Sequence, residues 1–158
     1  MSGTVVQLSV SRGGVPKHAI PEARIGVLGL AGDMQNHPKI HGGPARAVCL
    51  FAVEVIERLQ AEGHPIAPGT TGENVTLRGI AWATLAIGAR LALGDAVIVE
   101  ITSLTDPCKQ IAASFADRNF RRILLPGDSR RYARVVREGT VRTGDRVHRV
   151  PALADSPT

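Results

Sequence analysis

Apolar and polar residues alternate along this chain in short runs, and glycine-rich turns separate the runs. That period of two predicts strands over 4–10, 25–30, 46–53, 74–77, 90–93, 96–102, 132–137 and 146–150. Gly94-Asp95 joins two of these runs as a tight hairpin, and Gly144-Asp145 leads into the last. Helical spacing is scarcer. Over 53–62 it places Val55, Ile56 and Leu59 on one face, with Gly63 and Pro65 as the stop. Two further short helices are expected at about 108–115 and 117–125. Many short strands with few helices predict a mainly β protein built as a closed or nearly closed β-barrel.

The composition agrees with a folded, water-soluble chain: 44% of residues are apolar and 21% charged. A length of 158 residues suffices for one hydrophobic core, expected as a single domain over 1–150 with a frayed polar tail at 151–158. No run approaches the ~18 apolar residues that a membrane helix needs. Met1-Ser2-Gly3-Thr4-Val5-Val6 lacks the pattern of a secretion leader. Two cysteines make no disulfide framework, which points to a reducing cytoplasm. A single Cys49–Cys108 bridge is compatible with the sequence but not called for by it.

Charge alters this picture by its placement. The chain carries a net +5, and from Arg118 onward ten arginines face four acidic residues, so all the excess lies in the C-terminal part. Arginine grips phosphate and carboxylate with two parallel hydrogen bonds, so an anionic ligand fits, and a solvated basic face is the alternative. Nucleic acid does not fit. The five aromatic residues do not interleave with basic ones as a base-stacking surface requires.

Three segments carry candidate chemistry. Cys108 follows Pro107 shortly after the β-branched run 96–102 and precedes Lys109. A helix beginning there, together with Lys109, would favour the thiolate, which attacks electrophiles, carries persulfide sulfur or ligates a soft metal. A packed free cysteine is the alternative, and Cys49, inside Ala47-Val48-Cys49-Leu50-Phe51, reads that way. Second, His37, Lys39 and His41 share one face of an extended segment beside Gly42-Gly43, whose backbone N–H groups can receive an anion. Pro38 and the glycines forbid the helix that a two-histidine metal site would need, and loop histidines in water are the alternative. Third, Gly69-Thr70-Thr71-Gly72-Glu73-Asn74 lacks the Gly-Lys-Ser/Thr ending of a nucleotide loop and reads as a turn that sets Glu73 and Asn74.

In this order the pieces resemble the MOSC domain, named for the C-terminal domain of molybdenum cofactor sulfurases. Gly29-Leu30-Ala31-Gly32-Asp33, His41-Gly42-Gly43-Pro44-Ala45-Arg46-Ala47-Val48 and Gly72-Glu73-Asn74 resemble successive family motifs. Pro107-Cys108 falls at the family's hallmark cysteine, and Tyr132-Ala133-Arg134-Val135-Val136 with Gly144-Asp145 resemble the closing strands of stand-alone bacterial members.

The resemblance implies a barrel of the pyruvate-kinase β-barrel type. It assigns Cys108 as the sulfur carrier or molybdenum ligand, with molybdenum cofactor (molybdopterin) as the ligand. Lys39, His41, Gly43, Arg46, Asn74 and Lys109 would bind that cofactor or another small anion. Three functions stay open: cofactor binding with sulfur transfer, molybdenum-dependent reduction of N-hydroxylated compounds, and a non-catalytic barrel that binds an anion or a protein. A separate desulfurase or redox protein would be the partner. Pyridoxal phosphate is not expected, because nothing in the chain is long enough to be a desulfurase domain.

Overall fold

The computed structural model describes residues 2–34, 43–125 and 127–151. Among the described residues, eleven strands and one α-helix follow one another as β1 (Ser2–Val10), β2 (His18–Ile20), β3 (Glu22–Gly26), β4 (Gly29–Leu30), β5 (Val48–Ala52), α1 (Val53–Ala61), β6 (Val75–Arg78), β7 (Arg90–Leu93), β8 (Val97–Thr105), β9 (Arg130–Arg137), β10 (Gly139–Arg142) and β11 (Arg146–Val150). Seven of them close a barrel in the order β1, β6, β5, β9, β8, β7, β11, and β11 pairs back onto β1 with Gly3 opposite Val147. Every barrel pairing is antiparallel except β5 with β6, which α1 connects as a crossover. β2 extends the edge of β1, and β10, β3 and β4 form a separate three-stranded sheet.

Alternation sets the inside. On β8, Val97, Val99 and Ile101 are buried while Ile98 and Glu100 are half-buried. β5 is buried throughout, because its second face is covered as well. On α1, Val53, Val55, Ile56 and Leu59 face the barrel and Glu54, Glu57 and Arg58 face water. Among the described residues no helix is long and apolar enough to cross a membrane.

The expected mainly β barrel is what forms, with local differences. The run 25–30 splits into β3 and β4, because the exposed Val27-Leu28 makes a turn. The run 46–53 starts as a strand only at Val48, since Pro44–Arg46 is a 3-10 turn. The helices expected near 108–115 and 117–125 are 3-10 segments, Lys109–Ser114, Ala116–Arg118 and Phe120–Leu124. Positive φ at Asp117 and Arg118 breaks any continuous helix there. β2 and β10 are not among the expected strands; both are short, β2 adding to the edge of the preceding β1 and β10 pairing with the distant β3.

Behind β9, Arg131 is buried, and among the described residues no carboxylate pairs with it. Its guanidinium donates to the carbonyls of Trp82 (3.0 Å), Leu85 (3.3 Å) and Ser129, and stacks on the Trp82 ring at 4.9 Å. Burial pushes its pKa down from the ordinary arginine value. A lysine cannot reproduce that fork of donors. Arg131→Lys is therefore expected to lower the unfolding free energy in urea by about 1–3 kcal/mol, the cost of orphaned buried carbonyls. A change within about 0.5 kcal/mol would contradict this packing role.

Candidate functional site

Strand register assembles one polar face. Cys49 on β5 stands opposite Tyr132 on β9, and Thr105 at the end of β8 stands opposite Arg130. Since alternate residues share a face, Arg130 and Tyr132 point the same way, and Arg131 between them points to the Trp82 side. These four residues line a cavity of about 70 Å³ together with Lys17, Asn74 and Cys108, among others.

Turn chemistry behind the cavity fixes its walls. Glu73 is fully buried, and its carboxylate accepts from the Gly69 N–H (2.9 Å), the Thr71 hydroxyl (2.7 Å) and the Thr76 hydroxyl (2.9 Å). Gly69 has φ +86°, and a Cβ there would fall 2.6 Å from the Lys17 carbonyl, so only glycine lets the two loops touch. Asn74 comes next. Its Oδ1 accepts from the Cys49 N–H at 3.0 Å, and its Nδ2 donates to Asp33 at 2.8 Å and to the Ser9 carbonyl at 3.3 Å. Asp33 also takes the Ser11 N–H at 2.9 Å and the Lys17 ammonium at 2.6 Å, a nearly buried ion pair.

Arg130 differs from Lys17. It is 6% exposed, and donates through one Nη to the Thr71 carbonyl and through the other to the Asp106 carbonyl at 3.2 Å. Its Nε–H is buried with no partner. Among the described residues no carboxylate forms an ion pair with it, and its guanidinium lines the cavity. Such a charge costs several kcal/mol unless an anion meets it.

The thiols stand in different settings. Cys108 is half-buried on the cavity wall, at the start of the 3-10 helix Lys109–Ser114, and its carbonyl accepts from the Ile111 N–H at 3.1 Å. Cys49 is buried, with Sγ 3.9 Å from the Thr105 hydroxyl. Burial pushes the Cys49 thiol up, and the Arg130 charge opposes that shift.

Of the residues expected at the site, Cys108 and Asn74 meet at the cavity. Arg46 lies outside it and covers the Tyr132 ring from 5.5 Å. Gly43 is exposed ahead of the Pro44–Arg46 turn, and Lys109 is exposed and does not line the cavity. Lys39 and His41 lie outside the described residues. Sequence reasoning missed Lys17, Cys49, Thr105, Arg130 and Tyr132 as wall residues. The only available signals were the C-terminal arginine excess, which singles out no member, and Asp33, noticed as part of a turn rather than as the anchor of Lys17.

Tyr132 is the sole tyrosine of the chain, so an ultraviolet titration reads it alone. Burial, reinforced by Cys49, pushes its phenol up to about 12, while Arg130 and Arg46 pull the other way. The folded protein should therefore develop tyrosinate absorbance with a midpoint near 12, against about 10 in urea. The phenol's contribution to stability is intact below pH of about 10 and is lost as pH rises towards the folded value. A midpoint near 10 in protein that is still folded would contradict the buried placement.

Comparison with known proteins follows the same lines. The MOSC domain family matches residues 37–148. YflK of Bacillus subtilis (strain 168) is 30% identical over 115 residues, which cover 72% of this chain and 52% of YflK. YiiM of Escherichia coli (strain K12) is 28% identical over 92 residues, 56% of this chain and 41% of YiiM. The chain thus spans about half the length of these curated relatives. The crystal structure of the YuaD protein from B. subtilis superposes with a TM-score of 0.74 at 19% identity, covering 93% of this chain and 94% of YuaD, a likeness of fold. With most of its length matched by the family model, this chain belongs to the MOSC domain family.

Proposed function

We propose that this barrel binds molybdenum cofactor, or a closely related oxyanion-bearing ligand, and that Cys108 is the thiol through which it ligates the metal or carries sulfur. One observation carries the reading: a half-buried thiol and a buried guanidinium that forms no ion pair among the described residues line the same cavity. The donor set suits such a group. Among the described residues no three His, Cys, Asp or Glu side chains cluster to cage a bare metal ion. A single soft sulfur beside a cation instead suits a metal that arrives with its own ligands and negative charge. When bound, the cofactor would supply two-electron redox and oxygen- or sulfur-transfer chemistry at its metal.

The remaining work falls to the chain. Cys108 offers sulfur as a soft ligand, or holds a sulfane sulfur as a persulfide. Arg130 lines the cavity as a buried cation that would meet anionic oxygen, and a charge-assisted bond made away from water is among the stronger ones. Lys17 is held at the wall by Asp33, so its ammonium presents a fixed donor rather than a free charge. Reduction of N-hydroxylated compounds would use the same residues with electrons from a partner protein. Sulfur transfer would need a separate donor. A non-catalytic anion-binding barrel would use Arg130 without Cys108.

Two variants of protein purified from a molybdenum-replete, cofactor-producing host separate these readings. Cys108→Ala is expected to lose bound molybdenum and cyanide-releasable sulfur, read by elemental analysis and by thiocyanate formation. Arg130→Gln should weaken binding about 10- to 100-fold, the worth of one charge-assisted contact of about 1.5–3 kcal/mol. Wild-type metal and sulfur content in Cys108→Ala would overturn the assignment of the thiol and leave the anion-binding barrel.

A further inference from the structure

Cys49 has no part in the function proposed above, yet its surroundings are not those of an ordinary core thiol. Its Sγ touches the Thr105 hydroxyl on the cavity face that carries Arg130 and Tyr132. Three residues after Thr105, Cys108 stands on the wall of the same cavity. Three residues of chain span at most about 10–11 Å, and 106–108 belong to no strand, so Cys108 is tethered near the first sulfur. One phenol registers both: each thiol, Cys49 more than Cys108, disfavours ionisation of Tyr132. These are the only two cysteines of the chain, and both are free thiols.

We propose that Cys49 and Cys108 form a reversible dithiol–disulfide pair across the cavity, in which Cys108 reacts with peroxide and Cys49 resolves the product. Cys108 is open to a small oxidant, whereas Cys49, 6% exposed, is reached only from inside the cavity. Hydrogen peroxide transfers one oxygen to the Cys108 sulfur, giving a sulfenic acid and one water. The Cys49 sulfur then attacks the Cys108 sulfur. The S–O bond breaks, the S–S bond forms, and the Cys49 proton leaves with the hydroxide as a second water. Two electrons and two protons pass from the thiols to the peroxide. A disulfide needs Cα atoms about 4.4–6.8 Å apart, and the unpaired segment 106–108, rather than strand β5, supplies any adjustment. Arg130 favours the loss of the Cys49 proton that forms the attacking thiolate, whose charge passes to the departing hydroxide. The closed pair withdraws the Cys108 sulfur from any ligand, so oxidation shuts the site. None of this depends on what the ligand is.

The test uses the full chain, reduced, freed of reductant and treated with hydrogen peroxide. Alkylation under denaturing conditions and tryptic digestion without reductant follow. Cleavage after Arg46, Arg58, Arg90 and Lys109 leaves the two cysteines in peptides 47–58 and 91–109. The expected product is a monomer lighter by two hydrogens with these peptides joined, and dithiothreitol restores both thiols. In Cys49→Ala, and in the nearly isosteric Cys49→Ser, the same treatment should carry Cys108 on to sulfinic acid. Wild-type protein that shows Cys108 sulfinic acid with Cys49 still alkylatable would overturn the pairing, as would disulfides formed only between chains.

Discussion

Three strands of the barrel meet at the carboxamide of Asn74, and the cavity exists because they meet there. Its oxygen holds the Cys49 amide of β5, its nitrogen reaches the Ser9 carbonyl of β1, and Asn74 itself immediately precedes β6. The backbone doubles the clamp, for the Asn74 N–H donates to the Cys49 carbonyl at 2.7 Å and its carbonyl accepts from Ser9 at 2.8 Å. A buried amide whose donors and acceptor are all engaged is costly to replace, since each partner left behind is a buried polar group without water. The same nitrogen bonds Asp33, and Asp33 bonds Lys17. Backbone geometry at the strand junction therefore passes directly into the position of a cation on the wall.

Charge is dealt with unevenly across the molecule. Much of the arginine excess is absorbed by carboxylates: Glu100 takes both Arg90 and Arg134, Glu62 and Asp128 share Arg122, and Glu22 takes Arg142. The exposed pair Arg142–Glu22 adds little stability and is screened by salt. Arg131 is buried and met by carbonyl dipoles and an aromatic face. Arg130, its neighbour on the strand, is met by two carbonyls and an open cavity. A one-residue step along β9 thus separates a guanidinium that holds the fold together from one left available to a ligand.

The barrel was readable because alternation of side chains is a local property. Runs such as 90–93 and 146–150 carry it in their own residues, and glycines mark their ends. β2 and β10 were not readable, because three or four residues with mixed burial acquire strand geometry only from the partner that pairs with them. The same distinction governs the site. Cys108 and Asn74 stand out by their place in turns, which sequence displays. Cys49 sits in a wholly apolar run, and nothing local reveals that register sets it opposite Tyr132 rather than against leucine. The second strand face of an all-buried strand is invisible in composition.

The seam between β1 and β11 joins segments far apart in sequence, with Ser2 to Thr4 registered against Arg146 to His148. Such a pairing has a large loop-closure cost and forms late in a folding reaction. During synthesis, the strand that starts the barrel must wait, one edge bare, for the strand that finishes it. An unsatisfied edge is a template for pairing with another chain. The interval between translation of β1 and arrival of β11 is thus the period when this barrel is most exposed to misassembly, and when a chaperone would have most to protect.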